Sequence, residues 1–285
     1  MQGNSNFCTV HLCLRKYFCL SCNCLFCSLC GHYLGHKETK QLPDFLLENF
    51  RILKIFGKNF FIKVSDRQNN QIYSVQIIEN IDENTELILK SRVDKIISSN
   101  YGGIIKIYKY IYQKNEKFVM ILMDYAEKNL KDLVNSIDDS QAANYFLKLC
   151  ESIDYLHTEL KIIHCNLSLK TILLRKNELK ISNFWFNNYT HIKKHNSLFP
   201  PEILHCPAGP FNERTDIWSL GVLFHKMITK NTNPFLNEEN CDQKQRNQKI
   251  NENILTGKSF ISPSIKNITF SKIIKGFFFT LLSSP

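Results

Sequence analysis

The chain has 285 residues, 44% of them hydrophobic and 22% charged, with 10 glycines and a formal net charge of +10. These proportions are those of ordinary globular protein, exclude a disordered or collagen-like chain, and leave room for one small module beside one domain of common size. The basic excess is dispersed, with short clusters at His191-Ile192-Lys193-Lys194-His195 and Lys244-Gln245-Arg246; such a spread is a solvated surface and counts against a nucleic-acid partner.

The chain opens on polar residues, Met1-Gln2-Gly3-Asn4-Ser5-Asn6, with no apolar core of a secretion signal. The apolar stretch from Tyr17 to Leu29 falls short of the roughly 20 residues that a membrane helix needs. The expected location is therefore intracellular, in the cytoplasm, with the nucleus left open. Seven of the 11 cysteines fall between Cys8 and Cys30, in the order Cys8-x2-His11-x7-Cys19-x2-Cys22-x4-Cys27-x2-Cys30-x-His32-x3-His36. Pairs this close sit on tight turns, so both side chains can face one ion, and four pairs suffice for two tetrahedral zinc sites. The rival readings are a disulfide framework, which needs an oxidising compartment, and cysteines buried in a small core. The order and spacing resemble a B-box zinc finger of the kind found in tripartite-motif proteins. That resemblance implies a cross-braced arrangement, with Cys8, His11, Cys27 and Cys30 on one zinc and Cys19, Cys22, His32 and His36 on the other. The His32-x3-His36 end departs slightly from the family spacing, and Cys13 and Cys24 fall outside the set. A segment with so little core would draw most of its folding free energy from metal. The finger is assigned to residues 1–40, and residues 41–49, with Pro43, read as a short polar linker.

Strands are expected over 50–64 and 72–79. The first carries Gly57 and Val64 in FRILKIFGKNFFIKV, and the second reads Tyr73-Ser74-Val75-Gln76-Ile77-Ile78. Residues 141–159 place Phe146, Leu147, Cys150, Ile153 and Leu156 at a helical period. Then come His164-Cys165-Asn166-Leu167-Ser168-Leu169-Lys170-Thr171, Asn183-Phe184-Trp185, Phe199-Pro200-Pro201-Glu202 and Thr215-Asp216-Ile217-Trp218-Ser219-Leu220-Gly221. In this order and spacing they resemble the eukaryotic protein kinase motifs: the glycine-rich loop, V-A-I-K, H-R-D-L-K-P-x-N, D-F-G, A-P-E and D-x-W-S-x-G. So many ordered matches weigh against chance likeness in an unrelated α/β protein. The resemblance implies an α+β, bilobal kinase-like fold over 50–285, with a β-rich N-lobe at 50–123, a hinge at 124–128 and a helical C-lobe at 129–285.

The scaffold positions of that pattern match and the chemical ones do not. Asn166 stands where the resemblance puts the catalytic aspartate, and Ser168 where it puts the catalytic-loop lysine. Thr171 and Asn183 take the magnesium-ligand positions, and Gln76 that of the phosphate-binding lysine. Asn59 and Ile62 replace the second and third glycines, removing the backbone freedom that lets amides approach phosphate. Counting back from Ile104 sets Arg92 at the place of the helix glutamate. An amide carries no charge and is not a useful proton acceptor, and magnesium is a hard cation normally held by carboxylates and phosphate oxygens. The degenerate nucleotide site would comprise Gly57, Val64, Gln76, Asp124, Thr171 and Asn183, and the substitutions count against ATP and magnesium. Lys63 could swing towards phosphates, but a relocated lysine restores neither base nor metal ligand. Asp216 has a structural duty in the pattern, pinning the catalytic-loop backbone.

Near the end, Ile273 to Leu282 resembles the start of a late helix, and the arginine that would pair with Glu202 is not reached, which leaves open an abbreviated domain or a truncated product. Phe277-Phe278-Phe279 would then form an exposed apolar patch that favours an oligomer or a partner. The reading is a zinc finger joined to a catalytically inactive, pseudokinase-like domain that binds or scaffolds proteins. The alternatives are a weakly active or unconventional ATP-dependent Ser/Thr kinase, and a zinc-dependent adaptor in ubiquitin-type pathways.

Overall fold

The computed structural model describes residues 7–8, 13–14, 17–19, 24–26, 39–56, 61–184, 200–205, 211–230, 233–236 and 243–256. They divide into two compact units, the first comprising 1–98 with 106–125 and the second 99–105 with 126–285.

The first unit begins with short antiparallel pairs. Strand β1 (Phe7–Cys8) pairs with β2 (Cys13–Leu14), and β3 (Tyr17–Cys19) lies between β4 (Cys24–Phe26) and β5 (Thr39–Gln41). Helix α1 (Asp44–Asn49) leads into a five-stranded antiparallel sheet of β6 (Phe50–Phe56), β7 (Phe61–Asp66), β8 (Ile72–Glu79), β9 (Ile107–Gln113) and β10 (Phe118–Asp124), ordered β6-β7-β8-β10-β9. Antiparallel strands alternate their faces, so directly paired residues share one. Tyr73, Val75 and Ile77 of β8 join Ile62 and Val64 of β7 and Phe118 and Met120 of β10 in one core.

Leu42, Leu46 and Leu47 belong to that same core, each no more than 1% exposed. Residues 41–49 are therefore not a polar linker. Their leucines cover one face of the sheet, and burying each is worth about 1.5–3 kcal/mol. Three leucines within six residues carried this signal, but Pro43 and the neighbouring polar residues masked it.

Helix α2 (Glu83–Ile97) starts at Asp82, whose carboxylate accepts the Thr85 N–H at 2.7 Å. Its buried positions Glu86, Leu89, Val93 and Ile96 follow the three-and-four spacing of one helix face. Glu86 is buried beside Tyr110, whose hydroxyl donates to its carboxylate at 3.1 Å; burial, with this carboxylate next, pushes the Tyr110 phenol far above its ordinary range.

In the second unit, 99–105 attach to the strand pair β12 (Ile172–Arg175) and β13 (Glu178–Ile181), which β11 (Lys128–Asn129) extends. The Ile105 N–H donates to the Ile181 carbonyl at 2.9 Å and the Ile181 N–H to Gly103 at 2.8 Å. These bonds place 99–105 apart from the rest of 50–123, the span expected as one lobe.

Helix α3 (Leu130–Leu133) precedes α4 (Asp139–Thr158), which opens on a capping box between Asp138 and Gln141. The buried face of α4 runs through Ala142, Leu149, Ile153, Leu156 and His157. Leu147, expected on that face, is 62% exposed; Leu149 takes the inward place. Helices α5 (Pro201–His205), α6 (Glu213–Ile228) and α7 (Gln243–Leu255) follow. Helix α6 is buried along most of its length, as a helix at the centre of a packed unit must be, and its Trp218 stacks on Phe235 at 5.3 Å between ring centroids. Among the described residues no helix is long and apolar enough to cross a membrane.

Candidate functional site

The loop from Ile163 to Thr171 is held from below by one carboxylate. Asp216, in the first turn of α6 and fully buried, accepts the His164 N–H at 2.7 Å, the Cys165 N–H at 2.8 Å and the His157 Nε2 proton at 2.8 Å. Three donors satisfy a charge that would otherwise be costly to bury, and the helix N-terminus favours it further. The tether fixes a turn in which Cys165 takes φ 60°, a left-handed conformation that side chains disfavour. The Asn166 N–H then donates to His164 Nδ1 at 3.1 Å, and the His164 ring lies 5.5 Å from the fully buried Phe184 ring. His157 as the third partner of Asp216 was not anticipated; its signal was a histidine on the apolar face of α4, four residues after Ile153.

Thr171 closes the loop on itself. Its buried hydroxyl accepts the Ser168 N–H at 2.9 Å and shares its proton between the carbonyls of Asn166, at 3.0 Å, and Ser168, at 3.1 Å. Ser168 Oγ lies 3.3 Å from the same oxygen. A hydroxyl has one proton and two lone pairs, so this one is committed to the loop. Asn183, at φ 64°, has its Oδ1 buried with no hydrogen-bond partner among the described residues. The loop thus presents neutral groups at Asn166, Ser168, Thr171 and Asn183.

In the first unit, Gln76 is 6% exposed and its Oε1 also has no partner among the described residues. Gln76 pairs with Phe61 and Ile121, and Ser74 with Lys63 and Met123, so these residues share one sheet face. Val64 pairs with Tyr73 and points into the core on the opposite face. The expectation that Val64 and Gln76 line one site is corrected: counting from Gly57 fixes a separation, whereas the strand register decides the face. Lys63 holds the place beside Ser74, with its ammonium 4.0 Å from the centre of the Tyr125 ring. Asp124 is buried and accepts the Tyr108 hydroxyl at 2.9 Å, a structural bond within this unit. Arg92 is half-buried on α2.

Of the candidate zinc ligands, Cys8 and Cys19 are the last residues of β1 and β3, opposite Cys13 and Cys24 respectively. His11, Cys22, Cys27, Cys30, His32 and His36 lie outside the described residues, as do Gly57, Asn59 and Phe277 to Phe279. Among the described residues no three His, Cys, Asp or Glu side chains are grouped to hold a metal.

The family model described as the protein kinase domain matches residues 56–284, well over half of the chain. This chain belongs to the protein kinase domain family. Within it, the kinase domain is 24% identical over 200 residues to an Aurora kinase of Yarrowia lipolytica, covering 65% of this chain and 53% of that protein. It is 24% identical over 208 residues to Aurora kinase C of Mus musculus, covering 67% and 74%. With Aurora kinase A-B of Xenopus laevis it shares 25% identity over 256 residues, covering 84% and 60%. The matches span between about half and three quarters of the lengths of these curated relatives.

Proposed function

We propose that this kinase domain does not transfer phosphate and serves as a protein-binding or scaffolding module that carries a zinc finger at its N-terminus. One observation carries the reading: the Thr171 hydroxyl is consumed by the loop's own backbone, while Asn166 and Asn183 bring no charge. Phosphoryl transfer is mostly positioning and electrostatic stabilisation by metal, lysine and carboxylates. The residues present do not fit a magnesium-bound nucleotide. They offer the metal no anionic ligand at the two motif positions, and Gln76 supplies an amide where a cation is needed. The backbone frame of the loop, held by Asp216, is kept without the charges. A frame retained in this way is suited to presenting surfaces.

The donor set of the cysteine cluster fits zinc, whose preferred ligands are thiolate and imidazole. When bound, the metal would stabilise a segment with little core. Zinc content of the purified chain in reducing buffer tests this; absence of bound metal would remove the finger from the reading.

For the kinase domain, the deciding measurement is thermal melting with ATP, with and without magnesium, beside a phosphotransfer assay on a generic substrate. No magnesium-dependent rise and no transfer are expected. The quadruple variant Asn166→Asp, Asn183→Asp, Gln76→Lys and Thr171→Asn, the last to free the loop, is expected to gain a magnesium-dependent rise. A rise of the native chain with magnesium would sink the proposal.

Lys63 favours a second reading, that of an unconventional, weakly active kinase, because it occupies the Gln76 face and brings a cation there. Lys63→Ala separates the two: any ATP binding or transfer that disappears in this variant supports the second reading.

A further inference from the structure

We propose that residues 39–49 form a strut through which metal binding in the cysteine cluster sets the stability of the kinase sheet. The inference rests on the zinc reading above. Its starting point is the pairing of β3 with β5, in which Cys19 lies opposite Thr39. Cys19 is a proposed ligand, and His36, proposed for the same ion, precedes Thr39 by three residues. One ion would therefore tie together the corresponding ends of both strands.

From that pairing the chain has no slack before it enters the sheet core. Strand β5 ends at Gln41, and the next residue, Leu42, is 0% exposed among the core residues of the five-stranded sheet. The three residues from Thr39 to Leu42 reach at most about 10 Å. Pro43 follows with φ −58°, and α1 then inserts Leu46 and Leu47 into the same core.

Helix α1 is fastened to the sheet at several places. The Leu47 carbonyl accepts from Arg67 Nη2 at 3.3 Å, and the Asn49 carbonyl accepts the Arg67 N–H at 3.1 Å. Phe45 carries the Lys109 ammonium 4.4 Å from its ring centre and meets the Phe50 ring edge-on at 6.3 Å. Yet α1 has only six residues and no side-chain cap at its start. A helix this short does not persist alone, so its N-terminal end depends on the β3–β5 pairing as its C-terminal end depends on Arg67. Loss of metal would release that pairing and loosen the leucines over the sheet. By reciprocity, the folded sheet would raise the affinity of the cluster for metal.

The test is hydrogen exchange followed by mass spectrometry on the full chain, zinc-loaded and after chelation, with metal content measured in parallel. Exchange across 44–56 is expected to speed up about tenfold or more on chelation, on the scale of local opening free energies, while α4 in the second unit stays unchanged. Inserting Gly-Ser-Gly-Ser between Gln41 and Leu42 is expected to keep the metal and abolish the effect. Bound metal with unchanged exchange across 44–56 would overturn the strut and leave the zinc reading intact. Equal acceleration in α4, or an insertion variant that still responds, would overturn it as well. A chain that binds no metal would remove both.

Discussion

Asp216 and Thr171 show how two side chains can hold a loop's shape through its own backbone. Asp216 is charged, buried and satisfied by His164, Cys165 and His157, so the turn that places Asn166 does not depend on any ligand. Thr171 supplies the other closure, through the Ser168 N–H and the carbonyls of Asn166 and Ser168. Thr171→Val keeps the shape and removes the hydroxyl, leaving the half-buried Ser168 N–H without its acceptor. Such a loss costs about 1–3 kcal/mol. Urea unfolding of the variant should show that cost; an unchanged midpoint would mean that the closure contributes nothing.

At the scale of elements, the segment before β9 is fitted to α4 by its side chains. Tyr101 stacks on Tyr155 at 4.2 Å with 13° between the rings, and Tyr155 is 3.0 Å from the Ser99 hydroxyl. Gly103 lies against this pair: a Cβ there would overlap Ser152 Oγ and the Tyr101 ring, whereas one on Gly102 would meet nothing within 4 Å. Gly103→Ala is thus expected to destabilise by about 1–3 kcal/mol through overpacking, and Gly102→Ala to stay within about 0.5 kcal/mol of the native chain. Equal effects in denaturant titrations would contradict this fit. Helix α1 teaches a related lesson, because a stretch that reads as a linker becomes structure only when a sheet face lies within reach of its leucines.

For the molecule as a whole, one contribution to the pH dependence of stability is expected from a lysine in the second unit. Burial pushes Lys226 of α6 down from 10.5 to about 8, and among the described residues it has no acidic partner. Between about pH 8 and 10.5 the unfolded chain then holds a proton that the folded chain has lost. Stability should therefore rise across that window and be lower by the full penalty below it. Lys226→Met is expected to raise the stability of the transition that unfolds α6 at pH 7 and to flatten its rise towards pH 10. A variant that keeps the native slope would show that another group is responsible.

The kinase identity was legible in His164 to Thr171, Asn183-Phe184 and Thr215 to Gly221 because these motifs are local: residue types at short spacings suffice to recognise them. The neutral residues at Asn166, Gln76 and Asn183 could be read in the same way, since charge belongs to a side chain wherever it is placed. The tertiary structure alone decided that Val64 turns away from Gln76, that Lys63 takes the shared face, and that Leu42, Leu46 and Leu47 close the outer core. It also decided that His157 joins the Asp216 tether and that the Thr171 hydroxyl is spent on its own loop. Strand register, burial and hydrogen-bond partners are relations between residues distant in the chain, so they arise only when the chain packs.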